Sequence, residues 1–415
     1  MIKNQKSIHL WLGMILILFV SFACRLPIGN DEPQPGENLE ATITVLQTDV
    51  AANQADQPHS LEDVQPTPEA DQPTPEADPI VNQPYRGFVV FRDNQFYGYD
   101  FNGNSLGVQY PAGQQSYYGE NEVSLLPDII YYTQFGEGIT GVYRVDASQT
   151  QQLDFIPSGN SPISIAVSPD GNKIAWSSGE WAEGAPETQL YIANMDGSDQ
   201  RLVAELTAAD QAEYWRVYHP LRWTDDGKLV YATGLTGIGG YMLFWGYNGM
   251  YWYDPTSGTS QTMVSDEERL GLCLSSVSHD LTMVAIVCGD GDAVVRVRQL
   301  NSGVETAFPL VEGQNLAGSA KFSSDDTWLA YVTQTQNYED ERGKVVVVPV
   351  DGSQAPRIVA EIDGGSFIVQ GWLDADRFLV TRNEIETSNS TIWIMSKDGA
   401  LVQELVSGNF VGLMP

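Results

Sequence analysis

The stretch Ile163-Ser-Ile-Ala-Val-Ser-Pro-Asp-Gly-Asn-Lys-Ile-Ala-Trp176 reads as an apolar strand, a tight turn and a second apolar strand. The stretch Ser319-Ala-Lys-Phe-Ser-Ser-Asp-Asp-Thr-Trp-Leu-Ala-Tyr331 repeats it, with Asp170 aligned on Asp325 and Trp176 on Tyr331. The same unit recurs around Asp128, Asp225, Asp280 and Asp374, at successive intervals of 42, 55, 55, 45 and 49 residues. Six copies at this period indicate a repeat architecture. Each copy is followed by a second hairpin, with turns at Ala147-Ser148, Asp196-Gly197, Ser257-Gly258, Asn301 to Gly303, Asp351-Gly352 and Asp398-Gly399. Asp, Asn and Gly suit such turns because they tolerate positive φ or bond their own backbone. Four strands per repeat follow, and a four-stranded sheet at this spacing is a propeller blade.

The two ends of the repeat region fix the blade count. Phe88 to Phe91, Phe96 to Phe101 and Leu106 to Tyr110 read as the outer three strands of a blade that lacks its innermost one. The chain closes with Gly408-Asn-Phe-Val-Gly-Leu-Met-Pro415, which reads as an innermost strand with nothing after it. Joined, they make a seventh blade shared by both ends. The expected fold is therefore all-β, a seven-bladed propeller over 85–415, and the closure removes exposed sheet edges.

The Ser-Pro-Asp-Gly turn at 168–171, the Lys-Ile-Ala-Trp that follows, and Tyr-Ile-Ala-Asn-Met-Asp-Gly at 191–197 resemble the repeat of TolB-like propellers, which are related to WD-repeat proteins. The resemblance covers about 85–415 and implies a periplasmic-type propeller with an envelope-protein partner. No counterpart of the separate N-terminal domain of TolB is expected, and a linker is expected in its place.

Residues 1–24 read as an export signal: Lys3 and Lys6 precede an apolar run from Leu10 to Phe22, and Ser21-Phe22-Ala23 leads into Cys24. A cysteine after a small residue there resembles a bacterial lipoprotein signal, so lipidation of Cys24 is expected, with ordinary cleavage or an uncleaved anchor as alternatives. Residues 25–84 hold twelve acids and one base, Arg25, and the tandem heptads Gln65-Pro-Thr-Pro-Glu-Ala-Asp71 and Gln72-Pro-Thr-Pro-Glu-Ala-Asp78. That composition is expected to form a disordered acidic tether, with one short helix considered at 39–50. The expected location is extracytoplasmic, at the cell membrane or envelope.

The whole chain of 415 residues carries 54 acids against 21 bases, a net charge of −33, which disfavours nucleic acid as a partner. Four His and three Cys exclude zinc-cluster and disulfide-rich frameworks. The repeated turn Asp residues lie one blade apart, too far to share an ion. Asp290-Gly-Asp292 and Glu339-Asp-Glu341 lack EF-hand spacing, and no metal or other cofactor is expected. Gly103-Asn-Ser-Leu-Gly107 matches the nucleophile-elbow pattern but sits in a hairpin turn, and no catalytic residue is assigned. His219 and His279 are the only histidines past residue 84. Cys273 and Cys288 are expected to face each other across the hairpin at Asp280, as a disulfide or as two buried thiols.

The longest insertions, 110–122, 178–189, 207–220, 234–249 and 334–343, mostly join strands two and three of a blade or successive blades, which places them on one face. They carry the candidate ligand-binding aromatics Trp181, Tyr214, Trp215, Tyr218, Tyr241, Phe244, Trp245 and Tyr247. Aromatics on loops held by a stiff scaffold stack on sugars or anchor peptide side chains, and otherwise pack into clusters of their own. Glu180, Glu183, Glu187 and Glu213 nearby favour a neutral or cationic ligand. The expectation is a monomeric, non-catalytic binding module for a glycan, a peptide or an envelope protein. The alternative is a glycan-active hydrolase or lyase with paired carboxylates at the channel mouth.

Overall fold

The computed structural model describes residues 85–112, 121–136, 139–158, 164–180, 187–207, 209–210, 215–235, 246–268, 272–287, 294–335, 341–384 and 389–415. The expected signal, Cys24, the tether and the 39–50 helix lie outside them. The described residues form seven four-stranded antiparallel sheets. Blades 1 to 6 span 123–152, 165–206, 216–264, 274–309, 316–363 and 365–407. In blade 7, the strand Asn409–Met414 pairs with Gly87–Arg92, which continues into Gln95–Tyr99 and Ser105–Pro111. The register sets Gly87 against Met414 and Phe91 against Asn409, so the two ends of the repeat region close one sheet.

Alternate residues of each central strand belong to different interfaces, because side chains in a strand point to opposite faces. Val89 and Phe91 pack toward blade 1, whereas Phe88 and Val90 pack toward blade 6. Leu329 and Tyr331 face blade 4; Ala330 and Val332 face blade 6. A strand buried on both sides reads as a continuous apolar run, as in Leu329-Ala-Tyr-Val332. Seven apolar clusters result, one between each pair of neighbouring blades. Blades 1 to 3 each add a cross-strand aromatic pair: Tyr132 on Tyr143, Trp176 on Tyr191 and Tyr231 on Tyr251, with centroids 5.2 to 5.6 Å apart. Trp223 and Trp372 end the inner strands of blades 3 and 6, and each indole N–H donates to the preceding blade, at Ala166 O (3.0 Å) and Lys321 O (2.8 Å).

The recurrent turn has a chemical definition. Ser168 Oγ donates to Asp170 at 2.6 Å and accepts from Lys173 N at 2.8 Å, which closes the hairpin from within. Ser278 with Asp280 (2.7 Å) and Ser323 with Asp325 (2.6 Å) repeat the arrangement. In blade 3 the hydroxyl is that of Thr224, and its partner is Asp226, not the Asp225 expected from the alignment. The carboxylate must stand two residues after the hydroxyl, and Asp225 stands one after it.

The second hairpins use carboxylates in the same way. Asp146, Asp196, Asp254, Asp351 and Asp398 each accept a backbone N–H two residues on, from Ser148, Ser198, Thr256, Ser353 and Ala400. Bonds from the Ser148 hydroxyl and amide hold Asp146 down at about 2. Ser168 lowers Asp170, Ser198 lowers Asp196, and Lys228 with Thr224 lowers Asp226.

A carboxylate whose folded pKa is depressed stabilises the fold above its unfolded value and loses that contribution as pH falls through the folded value. With many such turns, the melting temperature is expected to hold above about pH 5 and to fall steeply from about pH 4 toward pH 2. Thermal melts across that window check it. The Asp170→Ala/Asp325→Ala double variant should show a lower plateau and a shallower acid limb, and a curve parallel to the parent's would contradict the assignment.

Candidate functional site

In an antiparallel meander blade, the connections between strands two and three and between blades emerge on one side, and the remaining turns emerge on the other. The long connections are on the first side, here called the loop face. The chain enters the folded region at Tyr85 and leaves it at Pro415, both on the turn face. Several strands reach further into the loops than the sequence suggests. Lys173–Glu180 and Glu187–Asn194 enclose the 181–186 loop, and Arg216–Trp223 includes Pro220. Pro220 is tolerated there because it sits at a β-bulge on the inner strand, whose channel edge needs no donor.

The candidate aromatics separate once placed. Trp215 is 42% exposed, next to the first residue of the blade 3 inner strand. Tyr218 is 6% exposed and belongs to the cluster between blades 2 and 3, edge-on to Tyr231 at 6.0 Å. Burial raises its phenol well above the ordinary tyrosine value. Tyr218 is a core residue and drops out of the binding set, because alternation along its strand turns it toward blade 2. Tyr247 forms a backbone bridge to Leu274 of blade 4, its ring lies 5.7 Å from that of His219, and its hydroxyl accepts from Asn121 Nδ2 at 3.1 Å. Tyr247 thus ties blade 3 to blade 4 through its backbone and to the segment entering blade 1 through its side chain, at the loop-face mouth of the channel. Trp181, Tyr214, Tyr241, Phe244 and Trp245 lie outside the described residues, as does Cys288. Cys273 is disulfide-bonded.

The register around Cys273 differs from expectation. Val277↔Val284 and Ser276↔Ala285 keep the expected facing pairs, but a bulge shifts Leu274 onto Ile286. Val287 N consequently donates to Cys273 O at 2.7 Å. Val287 stands opposite Cys273 in the backbone pairing.

An ion pair braces the base of the 236–245 loop, a feature absent from the sequence reading. Arg216 Nη1 meets Asp266 Oδ2 at 2.7 Å, and Thr233 donates to the other oxygen of that carboxylate. Gly249 is required beside them, since a Cβ there would fall 2.2 Å from Asp266 Oδ1. Asp266 opens a short 3-10 turn, Asp266–Glu268, that no sequence signal announced.

The inner strands enclose a channel of about 1310 Å³. Serines on and beside its wall join adjacent blades. Ser124 Oγ accepts from Val167 N (2.9 Å), Ser164 Oγ bonds His219 Nδ1 (3.2 Å), Ser275 Oγ accepts from Ala320 N (2.8 Å), and Ser319 Oγ donates to Val369 O (3.1 Å). Ser319 holds φ of 54° at a bulge, a strained backbone for a non-glycine residue. The two histidines sit at opposite ends, His219 by Tyr247 and His279 on the turn face, where Asp326 accepts from His279 N, His279 Nδ1 and Asp280 N at 2.8 to 3.1 Å. Among the described residues no group of three or more His, Cys, Asp or Glu is placed to hold a metal.

No protein-family model and no curated protein matches the chain. Solved structures similar to it include TolB from Acinetobacter baumannii, at 14% identity over 79% of this chain and 81% of that one, with a TM-score of 0.41. Hydrazine synthase from Kuenenia stuttgartiensis is similar at 11% identity over 77% and 98%, with a TM-score of 0.43. An oligogalacturonate lyase in complex with manganese is similar at 11% identity over 75% and 70%, with a TM-score of 0.36. The seven closed sheets themselves, rather than these likenesses, establish the architecture.

Trp215 and Tyr218 should separate cleanly in stability. Tyr218→Ala is expected to cost about 3 kcal/mol in chemical denaturation, and Trp215→Ala to stay within about 0.5 kcal/mol of the parent. Comparable losses would mean that Trp215 is a packing residue too.

Proposed function

We propose that this protein is a lipid-anchored, extracytoplasmic binding module that recognises a glycan through the aromatics of its loop face, without performing a reaction on it. The observation that carries this reading is the exposed indole of Trp215 on a face whose loop bases are braced by the Arg216–Asp266 pair and the Tyr247–Asn121 bond. A rigid, exposed aromatic loses little entropy on stacking, and aromatics contribute disproportionately to recognition surfaces. Trp181, Tyr214, Tyr241, Phe244 and Trp245 are assigned to the same surface from their positions in the loops.

The hydrolase or lyase reading ranks lower for a specific reason. A general acid needs a raised carboxyl pKa. Of the three described carboxylates on the channel wall, Asp225 is exposed at the rim and Asp226 is lowered by Lys228 and Thr224. Asp280 is also lowered, the bonds from Ser278 and Thr282 outweighing its partial burial. Both are committed to their turns.

Glycan-array binding by the full-length protein tests the module. Trp215→Ala combined with Trp245→Ala is expected to weaken the array signal at least about tenfold. Reducing-sugar release from a bound polysaccharide would replace the module by the enzyme, and specific capture of an envelope protein with no glycan signal would make the loop face a protein-docking surface. For the anchor, Cys24→Ser is expected to move the protein from the detergent phase to the aqueous phase on phase partitioning; a variant that stays with detergent would show that Cys24 carries no lipid.

A further inference from the structure

Arg222 is the penultimate residue of the blade 3 inner strand and lines the channel toward its turn-face end. A guanidinium carries five N–H donors. Among the described residues Arg222 makes one hydrogen bond, from Nη2 to Ser278 O at 2.8 Å. Asp326, Tyr85 and Asp225 influence it electrostatically, but among the described residues none forms an ion pair with it. Burial is the largest influence on Arg222 and lowers its pKa. Arg222 is half-buried, and a partly desolvated cation without a contacting anion carries a cost.

The acids around it are mostly engaged elsewhere. Asp326 accepts three bonds from the blade 4 turn, Asp280 holds its own turn through Ser278 and Thr282, and Asp226 pairs with Lys228 at 2.6 Å. Asp225 is exposed at the rim. On the other side of the balance, Lys321 of blade 5 lines the same channel, and so does Tyr85. Burial raises the Tyr85 phenol, which therefore stays a neutral O–H donor at physiological pH. The channel end thus gathers donors from blades 3 and 5 and from the incoming chain, inside a protein of net charge −33.

We propose that this end of the channel is an oxyanion site, in which the Arg222 guanidinium receives a carboxylate or phosphate group, with Tyr85 and Lys321 as supplementary donors. A guanidinium fork matches two oxygens of either group, and such bonds are the stronger kind. The site lies at the far end of the channel from Trp215 and does not depend on the loop-face reading. Because the molecule as a whole repels anions, association should be slow and affinity should come from the desolvated contacts.

Calorimetric titration of the full-length protein with inorganic phosphate and, separately, with acetate at fixed ionic strength tests the site. Wild type is expected to bind one equivalent of at least one of these anions, and Arg222→Met to bind it at least about tenfold more weakly. Arg222→Lys keeps the charge, loses the fork and should fall between the two. Phosphate-selective binding would assign a phosphorylated ligand and acetate-competent binding a carboxylate. Should Arg222→Met fail to fold, Arg222→Lys carries the test alone, with weakened binding expected. No binding by wild type, or binding unchanged in a folded Arg222 variant, overturns the proposal.

Discussion

Everything in this structure depends on each blade burying both of its faces. A four-stranded sheet with apolar residues on both sides is not stable by itself; it needs a neighbour on each side, and in a line of blades the first and last would each lack one. The ring removes that problem when Phe88 and Val90 meet blade 6 while Val89 and Phe91 meet blade 1. The strand that makes this possible comes from the far end of the chain. Residues 409–414 supply the inner edge of the sheet begun at Gly87, so the last of the seven apolar clusters forms only when the ends meet. Long-range closure of this kind carries a large loop-entropy cost, and the seven interfaces must jointly offset it.

Most of that plan is legible in the sequence because it is carried by local rules. The Ser/Thr-x-Asp turn and the Asp-led second hairpin are short motifs with fixed offsets, and the alternating burial of Leu329 to Val332 is a strand pattern. What failed was whatever depended on an offset of one. Blades 3 and 5 both contain an Asp-Asp pair, Asp225-Asp226 and Asp325-Asp326, and the hydroxyl two residues upstream decides which member closes the turn. The other member is then available for a different use. Asp225 goes to the rim, while Asp326, at φ of 57°, reaches across to hold the blade 4 turn.

Bulges account for further misreadings. The pairing between the inner strand and its neighbour shifts near Pro220, Leu274, Gly318 and Val369, and again at Val89 in blade 7. Inner strands crowd around an axis, and a bulge adds the local twist that such crowding demands. No sequence pattern marks the extra residue, so the backbone register at Cys273 shifts by one from the expected pairing. The candidate site suffered similarly: Trp215 and Tyr218 are three residues apart and equally aromatic, yet only the strand's start at Arg216 determines that one is exposed and the other is core.

The channel is a consequence of the ring and not a separate invention. Each inner strand has one edge with no sheet partner, so seven rows of backbone polar groups face the axis, and the wall stays polar whatever the side chains are. The serines at 124, 164, 275 and 319 use that polarity to connect neighbouring blades, so much of the wall is structural. The two ends nevertheless differ. At the loop face, Tyr247, His219 and Asn121 form a bridge across blades; at the turn face, Arg222 and Lys321 line the channel with cationic side chains. A half-buried guanidinium carries a desolvation cost, and the inter-blade bond to Ser278 O needs only one of its five donors. The choice of arginine at this position is what the proposed oxyanion site would account for, since a guanidinium fork matches two oxygens.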